Sequence, residues 1–347
     1  MANNQYNLSK EYQFDIAVTD NTYAGKLALP YVTAAVKSPD TVARGYVRQI
    51  DGLNRKAVIS NLAVANPIVA GPGGTSGSAA CGFQSGGDTT LSEQVLTLVD
   101  LKVNEEICRG TIFPTWIGEN MDRNGNLPAS FEDFLLASVA GRAGQQLENG
   151  IWVSDASAGA GSTGLFGVGF LSNDGTFDQD GLNNSLLKDF PQVTMTSAGG
   201  GITAANAAKC FGDVYNSLVA NSPGVLSKPD VAFYCNLKTY GMYMQHLAGA
   251  GALTNGGYNN EMTNQSFTTV SYLGLPINVC PGMPDDCIVL TYKDNLVFGT
   301  NLATDYTEAR IIPTYQYDGS DNVRIVMNFA MGMQVAMTTD GVVGVDF

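Results

Sequence analysis

Charged residues are scarce in this chain of 347 residues: Asp, Glu, Lys and Arg together make up 14%, where about 25% is usual. Acidic residues number 32 against 18 Lys and Arg, so the net charge is −14. This balance argues against a nucleic-acid reader, because such proteins bind phosphates with clustered Lys and Arg. The 40 glycines and many Asn, Ser and Thr predict a surface that is polar without being charged. Proteins that bury much of their surface against copies of themselves have such compositions, and so do secreted β-rich proteins.

Long apolar runs are also missing. No stretch could span a bilayer, and the opening residues MANNQYNLSKEY lack the apolar core of a signal peptide. We therefore expect no membrane contact, and a protein that is made and kept in a cytoplasm until it is released by some other route.

The cysteines contain no CxxC pair and have no neighbouring histidine that would indicate a metal site. They are Cys81, Cys108, Cys210, Cys235, Cys280 and Cys287. We predict reduced structural thiols that pack as small hydrophobic side chains. Cys280 and Cys287 are the exception, because they bracket the turn-like sequence PGMPDD and could approach one another.

Residues suited to catalysis are few. His246 is the only histidine, and it lies in the apolar-stepped sequence YGMYMQHLAGA, where a packing or helix-surface role is favoured over that of a base. Asp285 and Asp286 are adjacent, so that in a strand they would point to opposite faces, and in a turn they would act as solvated caps. Glu105 and Glu106 are also adjacent, so in a strand they too would point to opposite faces.

A glycine pattern of the dinucleotide-binding type, G-x-G-x-x-G, occurs at Gly159, Gly161 and Gly164. It is followed by LFGVGF rather than by a helix, so no helix N-terminus is available for a pyrophosphate. A glycine-rich turn is the better interpretation. We predict no catalytic, cofactor-binding or metal-ligating residues, and a protein that is not an enzyme.

The clearest helical pattern spans residues 130–150. Apolar residues recur at every fourth position, which predicts one buried stripe; they are Phe131, Leu135, Val139, Ala143 and Leu147. Ser130 is suited to cap this helix and Gly150 to end it. Gly141 and Gly144 each cost about 1 kcal/mol relative to alanine in a helix interior. Such glycines predict that another backbone passes close by.

Two strand-like regions flank a glycine-rich segment. YVRQI and AVISNLAVANPIV precede residues 71–90, which are almost all Gly, Ser, Thr and Ala and are expected to form a mobile loop. In the following LSEQVLTLVDLKVNEEI, apolar or β-branched residues alternate along one side, which predicts a long strand; they are Val95, Thr97, Val99, Leu101 and Val103. Together the strands predict a projecting β-hairpin, which alone would be marginally stable and leave edges unpaired. We therefore expect the partner of this hairpin to be another subunit.

The remaining chain predicts a mixed α and β layer. Thr203 can cap a helix whose buried side is Ala207, Phe211, Val214, Tyr215 and Leu218. A strand VAFYCN, a second helix with a Tyr and Met cluster at 240–244, and the strands FTTVSYLGLPINVC and IVLTYKDNLVFGT follow. The Tyr and Met cluster is interpreted as core or subunit contact. TEARIIPTYQYD and VRIVMNFAMGMQVAM, joined by a turn at 318–320, predict a final antiparallel pair.

The order of these parts resembles the major capsid proteins of tailed bacteriophages with the Hong Kong 97-type fold. The resemblance is carried by VLTLVDLKVNEEI ahead of SFEDFLLASVAGRAGQQLENGIWVSD and GSTGLFGVGFLSNDG, and later by LSKPDVAFYCNLKTYGMYMQHL and GLPINVCPGMPDDCIVLTYKDNLVFGTN. It implies an α+β Hong Kong 97-like capsid fold. By it, residues 1–45 are an N-terminal arm, 46–103 an extended loop with its flexible tip at 71–90, 104–204 and 306–347 a peripheral domain with the spine helix, and 205–305 an axial α/β domain.

The resemblance also implies a function. Copies would form hexamers and pentamers that close into an icosahedral shell around phage double-stranded DNA, assembled in the host bacterial cytoplasm and located in the virion. Portal, scaffolding and decoration or cement proteins are the partners to expect, and the DNA would be enclosed without sequence-specific binding. Two alternatives stay open: an encapsulin, which is a cellular shell of the same fold around cargo enzymes, and a glycine-rich secreted adhesin or enzyme of another fold.

Overall fold

The computed structural model describes residues 21–24, 35–64, 89–108, 131–154, 165–166, 168–171, 185–196, 200–251, 270–301, 308–314, 317, 319–320 and 322–345. Its helices are α1 (Asp40–Ala43), α2 (Phe131–Trp152), α3 (Ala207–Asn221) and α4 (Leu237–Gly251). Its strands are β1 (Asn21–Ala24), β2 (Arg48–Ile50), β3 (Lys56–Val64), β4 (Thr89–Thr97), β5 (Val99–Cys108), β6 (Gln192–Thr194), β7 (Val231–Cys235), β8 (Ser271–Tyr272), β9 (Leu275–Val279), β10 (Cys287–Tyr292), β11 (Leu296–Thr300), β12 (Glu308–Pro313), β13 (Asn322–Val335) and β14 (Gly341–Val345). The fold is therefore mixed α and β.

The first sheet has six strands and is built on the long strand β13. β12 pairs along one edge of β13, and β1 adds outside it. β11 pairs with Met331 to Val335 further along that edge, while β5 pairs with Asn322 to Met331 along the opposite edge. β2 closes the sheet by pairing in parallel with β11.

The second sheet also has six strands, in the order β6, β14, β10, β7, β9 and β8. Every residue of its central strands β7, β14 and, up to Thr291, β10 is buried, as expected for strands that are covered on both faces. One face packs against α3, where the rings of Phe211 and Phe233 lie 5.2 Å apart. The other face packs against the cluster that also holds α2 and the first sheet.

The helix α2 lies in this shared core as the spine helix. Its buried residues contact side chains from both sheets, and they include Leu135, Leu136, Val139, Leu147 and Ile151. Trp152 is fully buried at the end of the helix, with its ring 5.5 Å from that of Phe170 and 6.2 Å from that of Tyr234. The spine helix thus joins the two sheets into one core.

The predicted helix over 130–150 is confirmed with its end shifted to Trp152; Ser130, its predicted cap, lies outside the described residues. The prediction that Gly150 ends the helix is wrong. Gly150 is needed for packing instead, because a Cβ there would lie 2.9 Å from the ring of Phe166. Gly144 does pass close to another segment, at Ser38 and Ala35, whereas a Cβ at Gly141 would meet nothing within 4 Å among the described residues.

Two further local predictions need correction. Thr203 does not cap α3, which begins after Asn206; the Asn206 side chain accepts a hydrogen bond from the backbone N–H of Thr203 at 2.7 Å. IVLTYKDNLVFGT is not one strand, because a 3₁₀ turn at Lys293–Asn295 sends β10 and β11 into different sheets. The final antiparallel pair is confirmed as β12 and β13, with Gly319 in the left-handed region at φ +72° between them.

Candidate assembly surface

The predicted hairpin is confirmed. β3 pairs antiparallel with β4 over their whole lengths, from Lys56 opposite Thr97 to Val64 opposite Thr89. These two strands form a sheet of their own, separate from the two large sheets. Thr89 and Thr90, which were assigned to the mobile tip, are part of β4, and the rest of the predicted tip lies outside the described residues.

The hairpin leaves the first sheet at Leu98. β5 follows one edge of β13 as far as Val99, which pairs with Met331. β11 pairs with Met331 to Val335 along the other edge, which it shares with β12. From Leu98 the chain crosses over β13 at Gly332, and β4 pairs with β3 instead of continuing along β13.

The same departure changes the alternation of side chains. The sequence pattern placed Val95, Thr97, Val99, Leu101 and Val103 along one side of a single long strand. Beyond Leu98 this holds, since Val99, Leu101 and Val103 are half-buried. Before Leu98 it is wrong: Leu96 is the buried residue of β4, while Val95 and Thr97 are exposed. The register shifts by one residue where the strand crosses from the hairpin into the sheet.

The root of the hairpin is held by close contacts. Leu96 and Leu98 are buried, and the N–H of Leu98 donates to the carbonyl of Arg55 at 2.9 Å. The side-chain amide of Gln334 donates to the carbonyl of Val95 at 3.1 Å. β4 also crosses β13 so closely at Gly332 that a Cβ there would collide with the carbonyl of Thr97. The root is thus part of the body of the protein.

Beyond the root, one side of the hairpin carries exposed apolar side chains. Val58 is opposite Val95, and Leu62 is opposite Leu91. Their exposed fractions are 60% for Val58, 61% for Leu62, 61% for Leu91 and 46% for Val95. We call these four residues the apolar face of the hairpin. Cross-strand apolar pairs normally stabilise a sheet by packing against a covering layer, which the described part of the chain does not supply here.

A buried carboxylate links the spine helix to Thr41, which lies in the segment predicted as the N-terminal arm. Glu148 is 5% exposed, and its carboxylate accepts hydrogen bonds from the N–H and the hydroxyl of Thr41. Burial raises the pKa of Glu148, although the bonds from Thr41 and from the N–H of Gly282 act in the opposite direction and the charge of Asp40 adds to the rise. Three distant segments therefore meet at one ionisable group.

The residues weighed for catalysis have structural surroundings. The imidazole Nδ1 of His246 lies 2.7 Å from the carbonyl oxygen of Ala204 on a half-buried helix face. Asp286 accepts a hydrogen bond from the N–H of Ile202 at 2.7 Å, as expected for a cap, and Lys238 lies 3.0 Å from the carboxylate of Asp285.

Glu106 pairs across the first sheet with Arg324 at 2.7 Å, and Glu105 next to it is exposed. Of the Tyr and Met cluster, Tyr243 is buried and Tyr240 and Met242 pack against the same core, which supports the interpretation as core. Gly159, Gly161 and Gly164 lie outside the described residues.

The cysteines that the structure describes are all free thiols. Cys210, Cys235, Cys280 and Cys287 are buried, and Cys108 is exposed. Burial raises the pKa of Cys235 to about 12 and that of Cys280 and Cys287 as well, so these thiols stay protonated and unreactive. Cys280 and Cys287 are not joined.

Within the described ranges, no group of three or more His, Cys, Asp or Glu is placed to hold a metal ion. None of the described helices is both long and apolar enough to cross a membrane.

No protein-family model matches the chain, and a search of curated proteins finds no match. Solved structures do match over most of its length. The capsid of Myoviridae phage XM1 is 12% identical with a TM-score of 0.52, and the match covers 89% of this chain and 92% of that chain. A satellite phage P4 procapsid that includes the size determination protein is 13% identical with a TM-score of 0.52, covering 97% and 93%. The capsid of a native GTA particle is 13% identical with a TM-score of 0.50, covering 100% of both chains. At this low identity the likeness is one of fold, and the chain has the fold of phage capsid proteins.

Proposed function

We propose that this chain is the major capsid protein of a tailed phage, whose copies assemble as hexamers and pentamers into an icosahedral shell that encloses double-stranded DNA. The observation that carries the proposal is the hairpin β3–β4, which leaves its sheet and exposes paired apolar side chains. The capsid fold of the whole chain supports the same function.

The energetics favour a second copy as the partner of the hairpin. A two-stranded hairpin is marginally stable by itself in water and gains stability when one face is covered. Fully burying a Val or Leu side chain contributes about 1.5–3 kcal/mol, so covering the remainder of four such side chains contributes on the order of several kcal/mol per subunit. In a closed shell every copy would gain this contact once. Many individually weak contacts would then be sufficient to hold the shell together.

Composition agrees with this function. Charged residues make up 14% of the chain, and charged residues are depleted at the core of protein interfaces. A surface that is mostly covered by other subunits needs few charges. The same proposal puts the protein in the virion after assembly in the host bacterial cytoplasm, with no catalytic role. Portal, scaffolding and decoration or cement proteins are its proposed partners beside further copies of itself.

The Hong Kong 97-type division of the chain also stays a proposal. In it, residues 1–45 are the arm, 46–103 the extended loop, 104–204 with 306–347 the peripheral domain, and 205–305 the axial domain.

The proposal is tested by concentrating the purified chain and following assembly by sedimentation velocity and electron microscopy. We expect capsomers and closed shells from the unaltered chain. Leu62→Ser with Leu91→Ser should leave a folded subunit, judged by circular dichroism, that forms far fewer shells. Leu62→Met with Leu91→Met is the matched control, because it keeps the apolar surface and should assemble normally.

Two observations would contradict the proposed function. A chain that stays monomeric at high concentration, also when co-expressed with the genes that neighbour its own, is not a shell protein. Shells that enclose a protein cargo instead of DNA in the native host would favour the encapsulin alternative.

A further inference from the structure

The root of the hairpin crosses two glycines, and Leu96 packs in a socket over one of them. Leu96 is completely buried although it belongs to β4, whose other residues are mostly exposed. A Cβ at Gly299 in β11 would lie 2.5 Å from Leu96 Cδ2 and 2.9 Å from Leu53 Cδ1. A Cβ at Gly332 in β13 would collide with the carbonyl oxygen of Thr97. A side chain at Gly299 would therefore displace Leu96 and Leu53, and one at Gly332 would displace the backbone of β4.

Space, and not backbone freedom, explains these two glycines. Both lie inside strands, opposite one another in the pairing of β11 with β13. Neither is among the glycines with positive φ. Glycine inside a strand costs about 0.5–1 kcal/mol relative to alanine, so glycine at both positions is explained by the close approach of β4.

The socket decides which side of the hairpin faces outward. Successive side chains of a strand point to opposite faces. With Leu96 directed into the socket, Val95 must point away from the body, and with it the cross-strand partner Val58. Leu62 and Leu91 lie on that same side further along the hairpin. The position of Leu96 therefore fixes the side on which the apolar face is presented.

The other bonds at the root are weaker constraints. The ion pair between Arg55 and Asp100 has side chains that are 80% and 76% exposed, and such pairs contribute little. The hydrogen bond from Gln334 to the carbonyl of Val95 involves an exposed side chain. Packing of Leu96 between Gly299 and Leu53 is the contact with the least freedom to adjust, because protein interiors are close-packed.

We propose that the socket of Leu96 over Gly299, together with the close crossing of Thr97 over Gly332, is a positioning device, which sets the direction of the hairpin relative to the body and thereby the angle between neighbouring copies in the shell. This inference rests on the proposed function for its second half. The angle at which each copy presents its apolar face to the next determines the curvature of a closed shell. A shift at the root of the hairpin would be magnified along its length.

A complementary size change tests the device. Gly299→Ala adds a methyl group where Leu96 Cδ2 now lies, and it should displace the hairpin. Leu96→Val removes the δ-carbons and should by itself have a small effect. The double variant Gly299→Ala with Leu96→Val should restore the original position. Gly241→Ala serves as the control, since in the part of the chain that the structure describes a Cβ at Gly241 would meet nothing within 4 Å.

Hairpin position is measured on the unassembled subunit by pulsed electron paramagnetic resonance. Spin labels are attached at Ser60→Cys on the hairpin and Ser227→Cys on the body, in a background with Cys81→Ser and Cys108→Ser. Unlabelled proteins are assembled in parallel, and their particles are counted and sized by electron microscopy. We expect Gly299→Ala to shift the distance distribution and to reduce closed particles of normal diameter about tenfold, equivalent to about 1.4 kcal/mol. The double variant should restore both the original distance distribution and the original number of closed particles.

The two halves of the inference can fail separately. An unchanged distance in Gly299→Ala, or a double variant that stays displaced although it is folded, would overturn the positioning role. A shifted distance with normal particles would overturn the link to curvature. Should the unaltered chain form no shells at all, the proposed function fails, while the distance measurement still decides whether the socket positions the hairpin.

Discussion

Thr41 donates both its backbone N–H and its hydroxyl to the carboxylate of Glu148, at 3.0 and 2.6 Å, although 107 residues separate the two. The indole N–H of Trp152 donates in turn to the Thr41 hydroxyl oxygen at 2.8 Å. The contact joins the spine helix to the predicted arm. A buried carboxylate that relies on hydrogen bonds alone is sensitive to its own ionisation.

Glu148→Gln should change how stability depends on pH. Burial raises the pKa of Glu148 above its ordinary value of 4.5, and Asp40 is the charged group that adds to the rise. The stabilisation from this group is therefore fully present below the unfolded pKa of about 4.3 and is lost as pH rises through the folded pKa. The free energy of unfolding of the natural chain, relative to Glu148→Gln, should fall as pH increases through that window.

Urea unfolding of unassembled subunits at a series of pH values measures this difference. Glu148→Gln is the suitable comparison because it keeps the size of the side chain and one acceptor oxygen while removing the charge. If the free energies of unfolding of the two proteins differed by the same amount at all pH values, Glu148 would titrate in the folded protein as it does in the unfolded chain.

Two glycines of the spine helix should respond oppositely to alanine. A Cβ at Gly144 would collide with the side chain of Ser38, whereas a Cβ at Gly141 would meet no atom of the described residues within 4 Å. Alanine is favoured over glycine in a helix by about 1 kcal/mol. We expect Gly141→Ala to raise the free energy of unfolding by up to that amount and Gly144→Ala to lower it by about 1–3 kcal/mol through overpacking. Equal effects of the two changes in denaturant unfolding would contradict the close packing of residues 35–38 on the helix.

Local patterns were sufficient to predict the spine helix, the hairpin and the final strand pair. Each depends on a periodicity inside one segment, such as the four-residue spacing of Leu135, Val139 and Leu147. The partner strand of each segment was predictable only where the two are neighbours in sequence. β3 with β4 and β12 with β13 are both of that kind.

Pairings between distant segments were not predictable. β14 joins the second sheet beside β10, while β11, a few residues after β10, joins the first sheet. Nothing in the apolar composition of these strands specifies which sheet buries them. The inward phase of Leu96 was missed for the same reason, because it depends on β4 crossing the paired strands β11 and β13, which are distant in sequence. The signals that were present are Gly299 and Gly332, two glycines inside strands, which indicate a close backbone approach.

Removing the tip of the extended loop should separate folding from assembly. The composition of the loop predicts that it gains order only against a neighbouring subunit. A chain that lacks residues 71–88 keeps both hairpin strands, which begin and end outside that segment. We expect this chain to fold, with unchanged circular dichroism, and to form no closed shells in electron micrographs. Normal particles from this deletion would contradict the role given to the tip.

Covalent cross-links between subunits are not expected. Some proteins of the resembled family join a lysine of the extended loop to an asparagine of a neighbour by an isopeptide bond. Lys56 is the only lysine between Lys37 and Lys102, and it lies at the base of the hairpin opposite Thr97 instead of at the tip. Particles boiled in denaturant should run as a single band near 36.6 kDa. A ladder of multimers would contradict a shell held by noncovalent contacts.

Binding of DNA by the isolated subunit should be weak. The densest basic group of the sequence is Lys10, Lys26, Lys37, Arg44 and Arg48. In the structure, Arg44 lies 3.7 Å from the carboxylate of Asp40, and Lys37 lies 3.5 Å from that of Asp51. Acidic partners therefore offset this patch, whereas phosphate binding requires uncompensated Lys and Arg on one surface. A container that held its DNA tightly would also hinder packaging and ejection.

We expect a dissociation constant on the order of 10⁻⁴ M or weaker for duplex DNA at physiological salt, the range of non-specific binding. A gel-shift titration at about 0.15 M salt, where charges further apart than about 8 Å are screened, measures it. Arg44→Gln with Arg48→Gln should leave this weak binding nearly unchanged, because Arg44 is already paired with Asp40 and acidic residues outnumber basic ones by 32 to 18 in the chain. Micromolar binding that disappears in the double variant would contradict the prediction and would make the arm a site of contact with the genome.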